Sequence, residues 1–207
     1  MEIDSRLNAA LAERFGEDKK FHLISGDILQ QKLGSLADDE RLRVVGNLPY
    51  AITSPILFKL LAERAVIRDA VLMMQKEVAE RLKSRPGCKA YGIPSVLFQL
   101  YSELELMRRV SPRVFKPVPR VESAVMRIRF RADPLIPVRD QKFLSRVIKT
   151  GFGKRRKMLR NALAPLLPAD RNRTGAEIDL TRRAEELSIE EWVRLSHLLS
   201  EMQKADC

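Results

Sequence analysis

The sequence has few cysteines and histidines, and it contains no long apolar run. Cys88 and Cys207 are its only cysteines, and its two histidines, His22 and His197, are not spaced from them as metal ligands would be. This argues against a disulfide scaffold and a structural zinc site, so we expect no metal. No apolar run reaches the roughly 20 residues that span a bilayer, and the charged N-terminus is unlike a signal peptide. We expect a cytoplasmic monomer with no membrane partner.

Charge is distributed unevenly along the 207 residues. Residues 1–107 carry 15 basic and 15 acidic side chains, whereas residues 108–173 carry 19 basic and 4 acidic ones. Residues 174–207 carry 4 basic and 8 acidic ones, so net charges of 0, +15 and −4 give the overall +11. A concentrated basic block favours a polyanionic partner, because contacts to phosphates release counterions. A well-solvated basic surface is the alternative interpretation.

Strand-like and helix-like segments alternate over the first two thirds of the chain. Apolar spacing predicts helices at 5–15, 54–61, 76–82 and 91–101, and strands at 21–24, 42–45, 70–74, 104–110 and 123–130. This alternation predicts an α/β fold with a mainly parallel sheet covered on both faces. In such sheets ligands bind beyond the carboxyl ends of the strands.

The pattern becomes helical after residues 133–137, which contain two prolines and are interpreted as a linker. We predict that Lys154–Lys157 starts the second helix of this region, where its positive charge would oppose the helix dipole. Ser188 and Glu191 fit a capping box that opens a later helix. The sequence therefore predicts an α/β domain at 1–134 and an all-helical domain at 135–207.

The sharpest local motif is Asn47-Leu48-Pro49-Tyr50, directly after a predicted buried strand. An exocyclic purine amine is a poor nucleophile, because its lone pair is delocalised into the ring. The Asn47 side-chain carbonyl and the Leu48 backbone carbonyl can accept hydrogen bonds from both N–H groups and so orient that lone pair. Pro49 restricts the backbone, and Tyr50 can stack on a base, which contributes roughly 1–3 kcal/mol. The alternative is a strand-to-helix turn with Asn47 as a polar cap.

Other sequence blocks accompany this motif in a fixed order: Glu2-Ile3-Asp4, Gly26-Asp27, Gln75–Leu82, Lys89–Gly92, Phe115–Val125 and Phe152–Leu163. Together the blocks resemble the ribosomal RNA adenine dimethyltransferases, the dimethyladenosine transferase family, from Glu2 to about Leu199. The resemblance implies a Rossmann-like class I methyltransferase sheet with a small helical RNA-binding domain. It implies N6,N6-dimethylation of two adjacent adenosines in small-subunit (16S) rRNA, with S-adenosylmethionine as cofactor and a pre-30S particle as partner.

The resemblance also assigns cofactor contacts. Glu2 is expected to bind the ribose hydroxyls of S-adenosylmethionine, because an acid at that strand end is the usual ribose partner in such folds. Asp27 is expected to accept a hydrogen bond from the cofactor's adenine amine, and Ile28 to pack on its ring. Asn47 is expected to lie beside both cofactor and target.

Contacts to the RNA follow from the same resemblance. Asn47 and Leu48 should receive the target amine, Pro49 should fix the turn, and the target adenine should lie between Tyr50 and Phe115. Basic side chains should hold rRNA phosphates on both sides of the target base, from the segment Arg108–Arg131 at the mouth of the site and from the helical domain. The residues expected in this role are Arg113, Lys116, Arg120, Lys154, Arg155, Arg156, Lys157 and Arg160.

The family's glycine-rich cofactor loop follows its first strand and would lie upstream of Glu2. Gly151-Phe152-Gly153 is the only Gly-x-Gly present, and it follows no predicted strand. We expect a fragment or, alternatively, a natural short form that binds RNA without catalysis. In either case we expect weak cofactor binding and reduced stability, with unpaired strand edges. A non-catalytic ribosome-assembly factor and a large-subunit rRNA adenine methylase are the competing functions.

Overall fold

A computed structural model describes residues 1–37, 40–167 and 178–205. Residues 168–173 of the basic block and Cys207 therefore lie outside the described part. The helices are α1 Ser5–Phe15, α2 Thr53–Ala62, α3 Lys76–Leu82, α4 Ile93–Tyr101, α5 Gln141–Gly153, α6 Leu159–Ala162 and α7 Ile189–Ala205. The strands are β1 Leu42–Asn47, β2 Ile67–Gln75, β3 Ser102–Val110 and β4 Ser123–Phe130. Among these helices, none is both long and apolar enough to cross a membrane.

The four strands form one sheet in the order β1-β2-β4-β3. β1 is parallel to β2, whereas β4 is antiparallel to both β2 and β3. The predicted α/β fold is confirmed, but the prediction of a mainly parallel sheet is wrong for these strands. Parallel neighbours need a crossover connection, usually a helix. Residues 111–122, which connect β3 to β4, contain only one 3-10 turn, so these two strands pair antiparallel.

The two faces of the sheet are covered unequally. Leu72 and Met74 of β2 and Met126 and Ile128 of β4 are fully buried, in the core to which α2, α3 and α4 contribute. Alternate residues of β1 are exposed, and Val45 retains 81% of its accessible surface. The prediction that both faces are covered is therefore wrong at β1 within the described residues.

The N-terminal segment pairs through a single bridge. Helix α1 is confirmed, with the Asp4 carboxylate accepting a hydrogen bond from the Arg6 amide at its start. The predicted strand at 21–24 is wrong, because its only described partner is Glu2, which forms an isolated parallel bridge with Ser25. One residue cannot supply the repeated inter-strand hydrogen bonds that define a strand.

The helical region packs on the α/β region through an aromatic stack. The Phe152 ring of α5 lies 5.4 Å from that of Trp192 in α7 and 6.1 Å from that of Tyr91. The predicted capping box is confirmed, because the Ser188 amide donates to Glu191 Oε2 at 2.7 Å and the Glu191 amide to Ser188 Oγ at 3.2 Å. The ring contacts of Phe152 hold the end of α5, which the basic segment Lys154–Lys157 follows.

The prediction that Lys154–Lys157 begins a helix is wrong. These residues form turns between the end of α5 at Gly153 and the start of α6 at Leu159. Positive charge directly after a helix C-terminus is favoured by the helix dipole, so the unfavourable electrostatics expected from the sequence do not arise. The basic side chains of Lys154–Lys157 therefore lie on an irregular segment.

Candidate active site

The turn after β1 is anchored by the last hydrogen bond of the β1–β2 pair. Asn47 pairs with Met73 in the parallel register, and the Leu48 amide donates to the Met73 carbonyl at 2.9 Å. Leu48 is 7% exposed, because its side chain enters the core. The chain then turns at Pro49, whose carbonyl accepts hydrogen bonds from the Ile52 amide and from Thr53 Oγ1. The backbone at Asn47 and Leu48 is therefore held firmly at the end of the sheet.

Two carbonyl oxygens at this turn are left without a donor from the described residues. The Asn47 side chain is exposed, and no hydrogen bond in the described part of the chain uses it or the Leu48 backbone carbonyl. The two groups can together accept both hydrogens of an exocyclic amine.

The two predicted aromatic rings are brought to the same place by separate elements. Tyr50 begins a short 3-10 turn after Pro49, and Phe115 follows a second 3-10 turn, where its amide donates to the Pro112 carbonyl at 3.1 Å. Both rings are half-buried. One pocket of about 340 Å³ is lined by Asn47, Leu48, Pro49, Tyr50, Phe115, Lys116, Pro117 and Pro119. Residues 68 positions apart in sequence (Asn47 and Phe115) thus meet at one concave surface.

Glu2 forms the isolated bridge with Ser25, two residues before Asp27, and neither Glu2 nor Asp27 lines that pocket. The Glu2 amide donates to the Ile24 carbonyl at 3.1 Å, and the Gly26 amide to the Glu2 carbonyl at 2.9 Å. Glu2 Oε1 accepts hydrogen bonds from the amides of Ile3 and Asp4, which leaves Oε2 unused within the described residues.

The Asp27 side chain starts a turn. Its Oδ1 accepts from the Leu29 amide at 2.9 Å, and its Oδ2 lies 3.4 Å from Gln30 Nε2. Ile28 packs partly buried against the core, so only part of its side chain faces outward. Asp27 therefore has one strongly bound oxygen and one weakly bound oxygen.

The predicted RNA-binding residues fall into two groups. Arg113, Lys116 and Arg120 are exposed on the loop that carries Phe115, and Lys154, Arg156, Lys157 and Arg160 are exposed after α5. None of these seven forms a salt bridge with another described residue.

Arg155 differs, because its Nε donates to Glu185 Oε2 at 2.7 Å and its NH2 donates to the carbonyls of Lys89 and Tyr91. Arg155 thus joins parts of the chain, and the other seven are free to meet a polyanion.

The expectation that all of Arg108–Arg131 flanks the mouth of the site is too broad. Arg127 and Arg131 form salt bridges with Glu105 and Glu103, at 3.2 Å and 3.1 Å. They lie towards the end of β4 that is remote from Ser123 and from the pocket. Cross-strand carboxylates therefore neutralise this part of the basic block.

Ser123, the first residue of β4, contacts the site and Glu122 before it is held in place, although the sequence assigns neither a role beyond membership of a block. The Ser123 hydroxyl lies 2.7 Å from the Tyr50 hydroxyl. The Lys76 amide donates to the Glu122 carbonyl, and Lys76 Nζ lies 2.5 Å from Glu122 Oε2. This hydrogen bond from the ammonium group lowers the pKa of Glu122. The only available sequence signal is a serine at the first position of a strand whose alternate residues face the core.

Comparisons with known proteins identify the family to which the chain is similar. A family model described as ribosomal RNA adenine dimethylase matches residues 1–201. The chain is 42% identical to Ribosomal RNA small subunit methyltransferase A of Pseudomonas aeruginosa over 203 residues, which are 98% of this chain and 75% of that protein. It is 43% identical to the protein of the same name from Synechococcus sp. over 210 residues, covering 97% of this chain and 73% of the relative.

Solved structures support the same assignment at the level of the fold. A dimethyladenosine transferase from Plasmodium falciparum superimposes with a TM-score of 0.77 at 22% identity, covering 98% of this chain and 80% of that one. The 23S rRNA methyltransferase ErmE superimposes with a TM-score of 0.66 at 28% identity, covering 96% and 80%. Because the family model spans nearly the whole sequence, the chain belongs to the ribosomal RNA adenine dimethylase family, whose members are methyltransferase enzymes with a Rossmann-like fold.

Proposed function

We propose that the chain catalyses N6,N6-dimethylation of two adjacent adenosines in small-subunit (16S) rRNA during ribosome biogenesis, with S-adenosylmethionine as methyl donor. The observation that carries the proposal is the pair of unused carbonyl oxygens on Asn47 and Leu48, in a pocket that also presents Tyr50 and Phe115. Small-subunit rRNA is favoured over the large-subunit rRNA of ErmE by sequence identity. The chain is 42–43% identical to the relatives named as small-subunit methyltransferases and 28% identical to ErmE.

The pocket residues act on the target amine by orienting it. Asn47 and the Leu48 carbonyl accept one N–H each, which turns the nitrogen lone pair out of conjugation and towards the methyl donor. The Leu48 carbonyl is held by the hydrogen bond from its own amide to Met73 and by the burial of its side chain, so it needs no rearrangement before the reaction. A general base is unnecessary, because the proton can leave to water after transfer.

The base itself is held by the two rings. Tyr50 and Phe115 stack on opposite faces of the adenine, which replaces the stacking lost when the base leaves its RNA neighbours. After the first transfer the nitrogen retains one N–H. A single acceptor then suffices, and rotation about the C–N bond places the remaining hydrogen against Asn47 or Leu48 for the second transfer.

The carboxylates of Glu2 and Asp27 fit the cofactor as hydrogen-bond acceptors. Glu2 Oε2 is unused and can accept hydrogen bonds from a ribose diol, and Asp27 Oδ2 can accept one from an adenine amine. Ile28 offers a partly exposed apolar surface to that ring. When bound, S-adenosylmethionine supplies an electrophilic methyl group.

Affinity for RNA comes from the seven exposed cations without salt-bridge partners in the described part of the chain. We propose that residues 1–134 form the catalytic domain and residues 135–207 an RNA-binding domain, so that the two groups of cations hold phosphates on either side of the target base. Contacts to phosphates position the RNA without reading its sequence, which suits a folded ribosomal particle as substrate.

The test is transfer of labelled methyl groups to immature small subunits by the chain and by its Asn47→Ala variant. We expect the variant to lose more than about 100-fold in rate, because oriented acceptors contribute several kcal/mol, and to bind the particle as tightly as the parent. Glu190→Gln, an exposed change on α7, is the control. Equal methylation by parent and Asn47→Ala would refute the mechanism. Binding without methylation by the parent would favour a non-catalytic assembly factor, and methylation of large subunits instead would favour the ErmE-like function.

A further inference from the structure

Ser123 is the fully buried first residue of β4, and the only hydrogen-bond partner of its hydroxyl within the described residues is the side chain of Tyr50. Two other buried serines bond locally instead. The Ser102 hydroxyl donates to the Phe98 carbonyl at 2.6 Å, and the Ser196 hydroxyl to the Val193 carbonyl at 2.7 Å. Ser123 instead spans 73 positions of sequence to reach a half-buried ring that lines the candidate active site.

The backbone of Ser123 is held in a fixed position by the sheet. Ser123 pairs with Gln75 of β2 on one side and with Val110 of β3 on the other, so its backbone is fixed by both neighbouring strands. The preceding residue, Glu122, is tied to Lys76 through both its carbonyl and its carboxylate. A hydroxyl attached to such a backbone has little freedom to follow a mobile partner.

The tyrosine needs this anchor, because its backbone does not fix its ring. Tyr50 is the first residue of a 3-10 turn at the mouth of an open pocket, and rotation about two side-chain torsions would move its ring through that space. The tyrosine oxygen lies on the axis of the second torsion, so its hydrogen bond with Ser123 restrains the first torsion and thereby holds the ring at one position. Phenylalanine would keep the stacking face of the ring and lose this constraint.

We propose that Ser123 is a positioning residue for base recognition: its hydroxyl holds the Tyr50 ring at the position from which it stacks on the target adenine beside Asn47. This inference rests on the proposed function, because it assigns the ring an adenine to stack on. Ser123 itself is fully buried, so it acts only through Tyr50.

The kinetic test is a double-mutant cycle on methyl transfer with the Ser123→Ala and Tyr50→Phe variants and their combination. Each single change is expected to lower kcat about tenfold, because small misplacements of a positioned group cost one to two orders of magnitude, and to leave the KM for the particle unchanged. The double variant is expected to lose about tenfold as well, since both changes remove the same bond. Ser102→Ala, a buried serine at the opposite end of the β3–β4 pair, is the matched control with parental kcat.

A second measurement is independent of turnover. The chain has three tyrosines, of which Tyr91 and Tyr101 are buried, so ring-labelled tyrosine NMR identifies the Tyr50 signal by its loss in Tyr50→Phe. Ser123→Ala is expected to increase the mobility of this ring and to reduce the shift caused by a single-stranded oligoriboadenylate. Ser102→Ala is expected to change neither.

Three outcomes would overturn the inference: a double variant that loses the product of the single effects, parental kcat in Ser123→Ala, or a Tyr50 ring whose mobility and oligoriboadenylate shift do not change in that variant. Failure of the proposed function looks different, because Asn47→Ala then retains methyl transfer. If Ser123→Ala fails to fold, Tyr50→Phe removes the same hydrogen bond from the half-buried side, and it must still lower kcat with the KM unchanged.

Discussion

The Arg155 guanidinium lies 2.7 Å from Glu185 Oε2 and also donates hydrogen bonds to two carbonyls of the segment Lys89–Tyr91. One side chain of the segment after α5 therefore connects the helical region to the α/β region. Its sequence neighbours Lys154, Arg156 and Lys157 point to solvent. The basic block thus contains residues with two different roles.

This division predicts opposite effects of two adjacent substitutions. Arg155→Ala should lower the free energy of unfolding by about 1 kcal/mol, because it removes charge-assisted hydrogen bonds that are partly screened by solvent. Arg156→Ala should leave stability unchanged and weaken RNA binding. Urea denaturation and filter binding measure the two effects. A stable Arg155→Ala protein with weakened RNA binding would place Arg155 among the RNA contacts instead.

The packing of α5 against α7 predicts a steric effect at Gly151. A Cβ atom built there would lie 2.5 Å from Cη2 of the Trp192 ring, which is fully buried and cannot move aside freely. Gly151→Ala is therefore expected to destabilise the protein by about 1–3 kcal/mol, the usual cost of overpacking a core. Gly153→Ala is the matched control, because a Cβ atom there meets nothing within 4 Å. Thermal unfolding of both variants is the measurement, and equal midpoints would contradict the prediction.

The free cations near the pocket predict a change in the salt dependence of RNA binding. Replacing Arg113, Lys116 and Arg120 by alanine should reduce the slope of log K against log salt concentration by about 2, given roughly 0.7 per phosphate contact on single strands. Alanine at Arg127, Arg129 and Arg131 should change it much less, because cross-strand glutamates already neutralise these residues. Titrations at several salt concentrations provide the test, and equal changes in the two triple variants would contradict it.

Acid stability is expected to depend on the capping residue of α7. The hydrogen bond from Arg182 holds the pKa of Glu191 below its ordinary value of 4.5. A carboxylate whose folded-state pKa is lowered contributes stability above its unfolded value, and this contribution is lost as pH falls from about 4.5 through the folded value. The unfolding free energy of the parent should therefore fall more steeply below pH ~4.5 than that of Glu191→Gln.

The comparison for this pH profile is Glu190→Gln, an adjacent exposed residue that forms no salt bridge with another described residue. Its profile should match that of the parent. Urea denaturation measured from pH 3 to pH 7 gives the three curves. If Glu191→Gln and the parent lose stability in parallel, the Arg182 contact does not contribute in the way that the structure indicates.

Local sequence patterns were sufficient for much of the structure and for the centre of the site. Helix α1, strands β1, β2 and β4 and the capping box at Ser188 follow from apolar periodicity and capping chemistry, which involve neighbouring residues. The motif at Asn47 was recognisable because strand, turn and aromatic residue are consecutive. Family resemblance assigned Phe115 to the same pocket from a distant block.

Other features depended on partners that are distant in sequence. The prediction of a strand at 21–24 is wrong because a strand needs a paired neighbour along its whole length. Within the described residues, only Glu2 pairs there, through one bridge to Ser25. The antiparallel direction of β4 and the location of Lys154–Lys157 in turns were set by connections and helix packing. Local propensity does not encode these contacts.

The sequence by itself determined the residue types of the site, the order of its elements and the excess of positive charge in one third of the chain. Only the tertiary structure decided which cations are neutralised, that Arg155 joins two parts of the chain, and that Ser123 reaches Tyr50. The physical reason is that hydrogen bonds and ion pairs extend only a few ångströms. Their partners are therefore determined by folding, which brings residues 22 to 73 positions apart into contact.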